Sequence, residues 1–369
     1  MVKTGAAKLA ALLLSSLLFS SAAFSGQAPM LNVAHPAVRA VAAIQREVTA
    51  DWMRRPEVIG TAVVLDSTGK PALGVFVDQD APAAAETVRS LPAQVRGIGV
   101  EIRLTDKFRA LRRRHRPPRG GGGGTPGVSH TATQPFPIQL GTSGGSSIDT
   151  EGSFCCSGTL GALVQIGGQQ YILSNWHVFE DDTVPGKNNT VAQNGDAVIQ
   201  PGLTDVNCDA SNASTVATLV IHNALPNNNV DCAVAKVVPG AVRTDGAILE
   251  VGTISSQTVP AAIGQAVQKS GRTTGLTHNS VIGLNGTISV SYSNECNGIH
   301  AFTQTFTGQI LVGGGNSFLG SGDSGSLLVE DVATNPRAIG LLFAGSSRNA
   351  VANPIDEVLA FLGASMVGN

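Results

Sequence analysis

From about residue 137 onward, short apolar runs and turn signals alternate: TLGALVQIGGQQYILSN, then AVIQPG, STVATLVI, VDCAVAKVV, TISVSY, GQILVGG, GSLLVE and AIGLLFAG. Turn-forming clusters such as IGGQQ, NNN, GLNG and ATNP stand between them. Runs this short, rich in β-branched residues and bounded by Gly and Asn, suit strands rather than helices. Their regular recurrence predicts an all-β barrel or sandwich. TLGALVQIGGQQYILSN reads as a hairpin. The end of the chain differs: Asn353 as a cap, Pro354 at the first helical position and IDEVLAFL after it predict one C-terminal helix.

The N-terminal part follows another pattern. Val38, Val41, Ile44, Val48 and Trp52 recur at helical spacing within residues 35–56. VIGTAVVL and ALGVFV flank DSTGKP as strand, turn and strand. A short helix in APAAAETVRSL and a strand in GIGVEIRL complete a small α+β domain over residues 29–111. Residues 112–136, with their arginines, prolines and five consecutive glycines, cannot form a core and read as a flexible linker. Its arginine cluster fits a processing site, a patch for anionic surfaces or a solvated hinge. Residues 137–369 form the all-β domain.

Lys3 and Lys8, the apolar run LAALLLSSLLF and the small residues of SSAAFSGQA have the three-part layout of a signal peptide over residues 1–25. The apolar run is short for a membrane span, so the expected product is secreted or periplasmic, with no stable membrane anchor. Charged residues make up 14% of the chain and the formal net charge is −2, which gives no global field for nucleic acid. Five cysteines in an oxidising compartment allow at most two disulfides. Cys232, inside an apolar run, is the expected free thiol; Cys155 or Cys156 pairing with Cys208 or Cys296 leaves the connectivity open. No paired CxxC motif suggests structural zinc, and no metal is expected.

Three residues stand in contexts that suit nucleophilic catalysis. Ser324 lies in GSGDSGSLL, where glycine on both sides permits a tight turn and close approach of a substrate. Such a turn can aim the N–H groups of Gly322 and Ser324 at one point as an oxyanion hole; one such donor is worth about 3 kcal/mol of barrier. A serine hydroxyl is a weak nucleophile without a base. His177, just after an apolar strand in YILSNWHVFE, can be fixed on a rigid element with one face open. Asp231 heads the apolar run VDCAVAKVV, where an ionised carboxylate is costly to bury without partners. A histidine that must be oriented supplies such a partner.

The order His, Asp, Ser, with SNWHV, VDCAVAKV, GDSGS and GLLFAG around those residues, resembles the chymotrypsin/trypsin-like serine proteases. The resemblance extends especially to the secreted bacterial branch that includes α-lytic protease and the streptogrisins. The resemblance covers about residues 150–369 and implies two six-stranded antiparallel β-barrels with a C-terminal helix. It implies a serine endopeptidase acting on polypeptides through His177, Asp231 and Ser324, with no cofactor. SGRTTG resembles a stretch of that branch whose arginine pairs with the aspartate before the serine, which implies an Arg272–Asp323 pair supporting the oxyanion turn. It further implies that residues 29–115 are either a pro-region, assisting folding or blocking the cleft from within the same chain, or a permanent accessory domain.

The same resemblance places Phe318 and Leu319 at the base of the primary pocket and Gly345 on its wall, implying a preference for small or medium apolar side chains. Three positions depart from the family. No cysteine pair closely flanks His177 as the usual disulfide near the histidine would, Ser326 stands where glycine is usual, and Phe343 stands where a serine usually donates a hydrogen bond to the aspartate. Asp231 therefore needs another donor. Two alternatives accompany this reading: a catalytically impaired binding protein on the protease scaffold, and an HtrA-like periplasmic protease without a C-terminal peptide-binding domain.

Overall fold

The computed structural model describes residues 31–110, 113–114, 127–151, 154–180, 190–294, 296 and 299–369, besides Met1. The signal-peptide reading and most of the arginine–glycine linker lie outside the described residues. Among the described residues no helix is long and apolar enough to cross a membrane.

The N-terminal region opens with helix α1 (Pro36–Trp52). It buries Val38, Val41 and Trp52 as the spacing predicts, but also Gln45 and Thr49. Those two polar side chains bond to each other's neighbourhood: Gln45 Nε2 and Thr49 Oγ1 both meet Thr61 Oγ1, at 3.1 and 2.7 Å. Strands β1 (Val58–Leu65) and β2 (Pro71–Asp78) form the expected hairpin, followed by α2 (Ala84–Ser90) and β3 (Ile98–Thr105). β3 lies parallel to β2. Two short strands, β4 (Phe108–Ala110) and β5 (Arg113–Arg114), then run toward the rest of the molecule. Part of the stretch read as linker is thus strand.

The next part contributes β6 (Thr142–Ser146), β7 (Phe154–Leu160), β8 (Ala162–Ile166) and β9 (Gln169–Ser174). After a short helix, α3 (Trp176–Phe179), come β10 (Ala197–Gln200), β11 (Ser214–Val220) and β12 (Ala233–Val237). These strands pair in the order β8-β9-β12-β11-β10-β6-β7-β5 within a ten-stranded sheet. Its inner face buries Leu160, Leu163, Ile172, Val198, Val216, Leu219 and Ala235.

The remaining strands are β13 (Ala266–Gly271), β14 (Gly275–Asn294) and β15 (Ile299–Val312). The short helix α4 (Gly315–Phe318) precedes β16 (Leu327–Glu330), β17 (Ala338–Gly345) and β18 (Ala350–Pro354). They pair in the order β13-β16-β17-β18-β15-β14, and β14 returns to β13, closing a ring of six antiparallel strands. The all-β expectation holds. One ring of six closes, whereas the pairings of the other sheet run as an open path.

The N-terminal strands extend the ring's own sheet, because β1 pairs antiparallel with β14 at Gly60↔Ile288 and Thr61↔Thr287. Gly60 permits that approach: a Cβ there would stand 2.8 Å from the Thr287 carbonyl oxygen. The last helix, α5 (Ile355–Leu362), starts one residue later than expected, with Pro354 at its N-cap and Gly363 ending it in the left-handed region. Asn353 does not cap it; its side chain is used elsewhere, as described below.

Two disulfides, Cys155–Cys208 and Cys156–Cys296, resolve the connectivity, and Cys232 is the free, buried cysteine. Burial pushes the Cys232 thiol well above its ordinary pKa, so it behaves as a small apolar group.

Candidate active site

The site lies where α3, the start of β12 and the turn before β16 converge. α3 is only four residues long, and all of WHVF is buried. This packing fixes the imidazole of His177. His177 Nδ1 lies 2.6 Å from Asp231 Oδ2, and the His177 backbone N–H donates to Asp231 Oδ1 at 3.3 Å. Both residues are fully buried.

Asp231 is held from four directions. Asn175 Nδ2 donates to its carbonyl oxygen at 2.7 Å, and its own N–H donates to Asn353 Oδ1 at 2.8 Å. The Asn353 amide in turn donates to Gln309 Oε1 at 2.7 Å. The Tyr292 hydroxyl donates to Asp231 Oδ2 at 2.8 Å. A buried carboxylate is tolerated when donors saturate it in this way. Asn353 and Tyr292 were not legible as site residues, since each comes from a strand far along the chain.

The Ser324 turn is shaped by glycine. Gly322 and Gly325 have φ of 101° and 93°, a region that side chains disfavour. A Cβ on Gly325 would also stand 2.2 Å from Ser174 Oγ. Ser326 contributes to the turn: its hydroxyl donates to the Asp323 carbonyl at 2.5 Å. Thr159 ties the turn to β7. Its hydroxyl donates to Gly322 O at 3.0 Å, and its N–H donates to Ser324 O at 2.8 Å.

Gly158 sits between the histidine helix and the serine turn. A Cβ there would lie 2.6 Å from a Val178 methyl and 3.1 Å from Ser324 O. The residue after His177 and the backbone of Ser324 therefore pack against one glycine. Among the described residues, His177 Nε2 is buried without a hydrogen-bond partner. Ser324 Oγ donates to Phe343 O at 3.3 Å.

The implied Arg272–Asp323 pair does not form. Arg272 instead pairs with Asp205, its Nε 2.8 Å from Oδ2, and Arg272 NH2 meets Oδ1. The ion partner of Asp323 is Lys269, whose Nζ is 3.3 Å away with both side chains fully buried. The physical reason is strand geometry. Side chains alternate across a strand, so residues 269 and 271 share one face of β13. The ammonium reaches Asp323 from position 269, while Gly271 leaves room for the carboxylate: a Cβ at Gly271 would stand 2.8 Å from Asp323 Oδ1. Arg272, one residue on, is directed to Asp205.

Asp323 also accepts the N–H groups of Gly320, Thr273 and Thr274 at 2.8, 2.7 and 3.1 Å, and the Thr274 hydroxyl at 2.6 Å. Burial works to raise its pKa, but the Lys269 charge and these hydrogen bonds outweigh it and hold the group below the ordinary carboxylate value. Burial lowers the pKa of Lys269, with Asp323 opposing the shift.

Phe318 and Leu319 are each 1% exposed and belong to the apolar cluster with Val267, Val312 and Leu328. α4 turns them inward, so the two residues that the resemblance places at the base of the primary pocket are packed in this cluster. Gly345 ends β17, two residues after Phe343. There β17 pairs with β4, at Ala344↔Ala110 and Gly345↔Arg109.

Two buried acids escaped sequence reading. Glu180, three residues after His177, accepts the N–H groups of His222 and Asn223 at 3.1 and 3.0 Å. Burial pushes its pKa to about 7. Glu250 meets His130 Nε2 at 2.5 Å, and His130 Nδ1 lies 2.9 Å from Gly141 O.

Comparison with known proteins gives three findings. The family described as the Nal1 C-terminal domain matches residues 223–353, a stretch that includes Asp231 and Ser324 but not His177. No curated protein matches the chain. Among solved structures, the chain is similar to a glutamic acid-specific serine protease described as using a histidine triad in substrate binding. Identity is 17%, with 62% of this chain and 100% of that one covered and a TM-score of 0.41. It is also similar to an α-lytic protease homologue, N4, at 19% identity, covering 62% and 98% with a TM-score of 0.40. Thermobifida fusca protease A is 18% identical, covering 58% and 92% with a TM-score of 0.38.

Proposed function

We propose that this chain is an exported serine endopeptidase that hydrolyses polypeptides through an acyl-enzyme. The observation that carries the reading is the buried His177–Asp231 pair, 2.6 Å apart, beside the glycine-shaped Ser324 turn. The chemistry follows from these groups. Ser324 Oγ turns from Phe343 O to His177 Nε2, gives up its proton and attacks the scissile carbonyl. The N–H groups of Gly322 and Ser324 receive the developing oxyanion. His177 then passes the proton to the leaving amine, and water, deprotonated by the same imidazole, releases the acid. Asp231 stabilises the imidazolium and stays ionised. Asp323 and Lys269 keep the turn in shape. No step requires a metal or an organic cofactor.

The N-terminal region acts in this reading as an intramolecular inhibitor. β4 adds a strand to the edge of β17 at Ala344 and Gly345, and β5 pairs with β7 at Arg113↔Ser157 and Arg114↔Cys156. Both partner strands lead to the serine: Phe343 O accepts from Ser324 Oγ, and Thr159 N–H donates to Ser324 O. Strand addition of this kind is how an extended peptide occupies a sheet edge, so the chain's own residues stand where a substrate strand would. A preference for small or medium apolar side chains belongs to the same reading and rests on Gly345 at the end of β17.

A fluorophosphonate probe tests the proposal. It is expected to label wild-type protein at Ser324 and to leave Ser324→Ala unlabelled. Labelling that persists in Ser324→Ala, or no labelling of the wild type after the N-terminal region is displaced, rejects it.

A further inference from the structure

The similar proteases place a serine where this chain has Phe343, and that serine donates to the aspartate. Here the Phe343 side chain carries no donor and packs in the core, its ring 4.9 Å from Phe306. A carboxylate that must orient an imidazole needs more than the imidazole itself, or it rotates about its own Cβ–Cγ bond.

We propose that Tyr292 is a positioning residue that takes over this role, donating to Asp231 from β14, on a strand unrelated to the position it replaces. The proposal rests on the serine peptidase reading. Tyr292 is 1% exposed, and its hydroxyl donates at 2.8 Å to Oδ2, the same oxygen that receives His177 Nδ1. Among the described residues it is the one side-chain donor to that carboxylate besides His177. With the His177 N–H on Oδ1, three donors fix the carboxylate plane.

The phenol is itself immobilised. Its ring stacks on Phe302 with centroids 4.8 Å apart and planes within 6°, and meets Trp176 edge-on at 6.4 Å and His177 at 6.0 Å. Burial and the neighbouring carboxylate push the Tyr292 pKa well up, so the group remains a donor across the working pH range. A buried phenol with a single fixed acceptor is a directional tie rather than filler. Phe302 meets the rings of Tyr292 and Trp176, at 4.8 and 6.2 Å, and has no group that could donate to Asp231, so ring packing and the hydroxyl can be removed separately.

Tyr292→Phe deletes the hydroxyl and keeps the ring. A hydrogen bond to a charged group corresponds to about a tenfold to hundredfold change in rate. The expected result is a fall of that size in kcat for a peptide substrate with KM unchanged, together with a shift of the low-field Nδ1–H proton resonance of His177. Phe302→Leu is the control: it is expected to lower the melting temperature more than Tyr292→Phe and to lower kcat less. Equal kcat losses in the two variants, or a Tyr292→Phe enzyme within twofold of wild type with an unshifted resonance, overturn the proposal. Failure of the underlying reading looks different, because the wild type itself would then resist fluorophosphonate labelling even after the N-terminal region is displaced.

Discussion

His177 Nδ1 and Asp231 Oδ2 lie 2.6 Å apart with no exposure of either side chain, although 54 positions separate them in the chain. α3 and the start of β12 are brought together by the pairing of β9 with β12, at Ser174↔Ala233 and Leu173↔Val234. The contact is thus a consequence of sheet register.

Asp231→Asn is expected to lower kcat by about four orders of magnitude, because an amide can hold the imidazole in the wrong tautomer. The melting temperature is expected to change far less. Steady-state kinetics beside a thermal melt checks both; a kcat loss below tenfold would remove Asp231 from the mechanism.

Lys269→Met leaves the Asp323 carboxylate buried without its counter-ion, at an expected cost of about 3–5 kcal/mol in denaturant unfolding. The folded-state pKa of Asp323 is held below its unfolded value. The pair's contribution is therefore fully present above that unfolded value and is lost as pH falls through the folded one. Wild type and Lys269→Met should differ most near neutral pH and converge in acid. Parallel melts across pH test this.

Glu180 carries the opposite sign. Its folded-state pKa of about 7 exceeds the ordinary 4.5, so the folded chain binds the proton more tightly. Stability is highest below about pH 4.5 on this account and falls as pH rises toward 7. Glu180→Gln is expected to flatten that part of the stability–pH curve. An unchanged slope would assign the dependence to another group.

Arg109→Pro removes a backbone N–H from β4, which pairs with β17 on one side and with β14 at Phe108↔Val290 and Arg109↔Ser291 on the other. Loosening this strand is expected to raise turnover of a short peptide substrate several-fold while His177, Asp231 and Ser324 keep their places. A variant that folds, as judged by its melt, with turnover at or below wild type would count against intramolecular inhibition.

The succession of strands along the chain, the opening helix and the residue types at the site were readable from the chain because they depend on local periodicity and local turn chemistry. The runs around β1, β2, β8 and β9 are short, apolar and bounded by turn signals, and glycine at 322 and 325 announces a turn that other residues resist. Cys232 was readable as a buried thiol for the same reason: its neighbours are apolar. The partner of Asp323 was not readable. Lys269 and Arg272 lie three residues apart on one segment, and only strand orientation decides which of them reaches the carboxylate.

What the sequence by itself determined was a chain of strands with a histidine, an aspartate and a serine in suitable local settings. Tertiary structure alone decided that Tyr292 and Asn353 hold Asp231, that Lys269 neutralises Asp323, that Phe318 is core, and that β4 lies on the edge of β17. Each of these depends on the register between distant strands. A shift of one residue turns a side chain to the opposite face, and no local pattern encodes that choice.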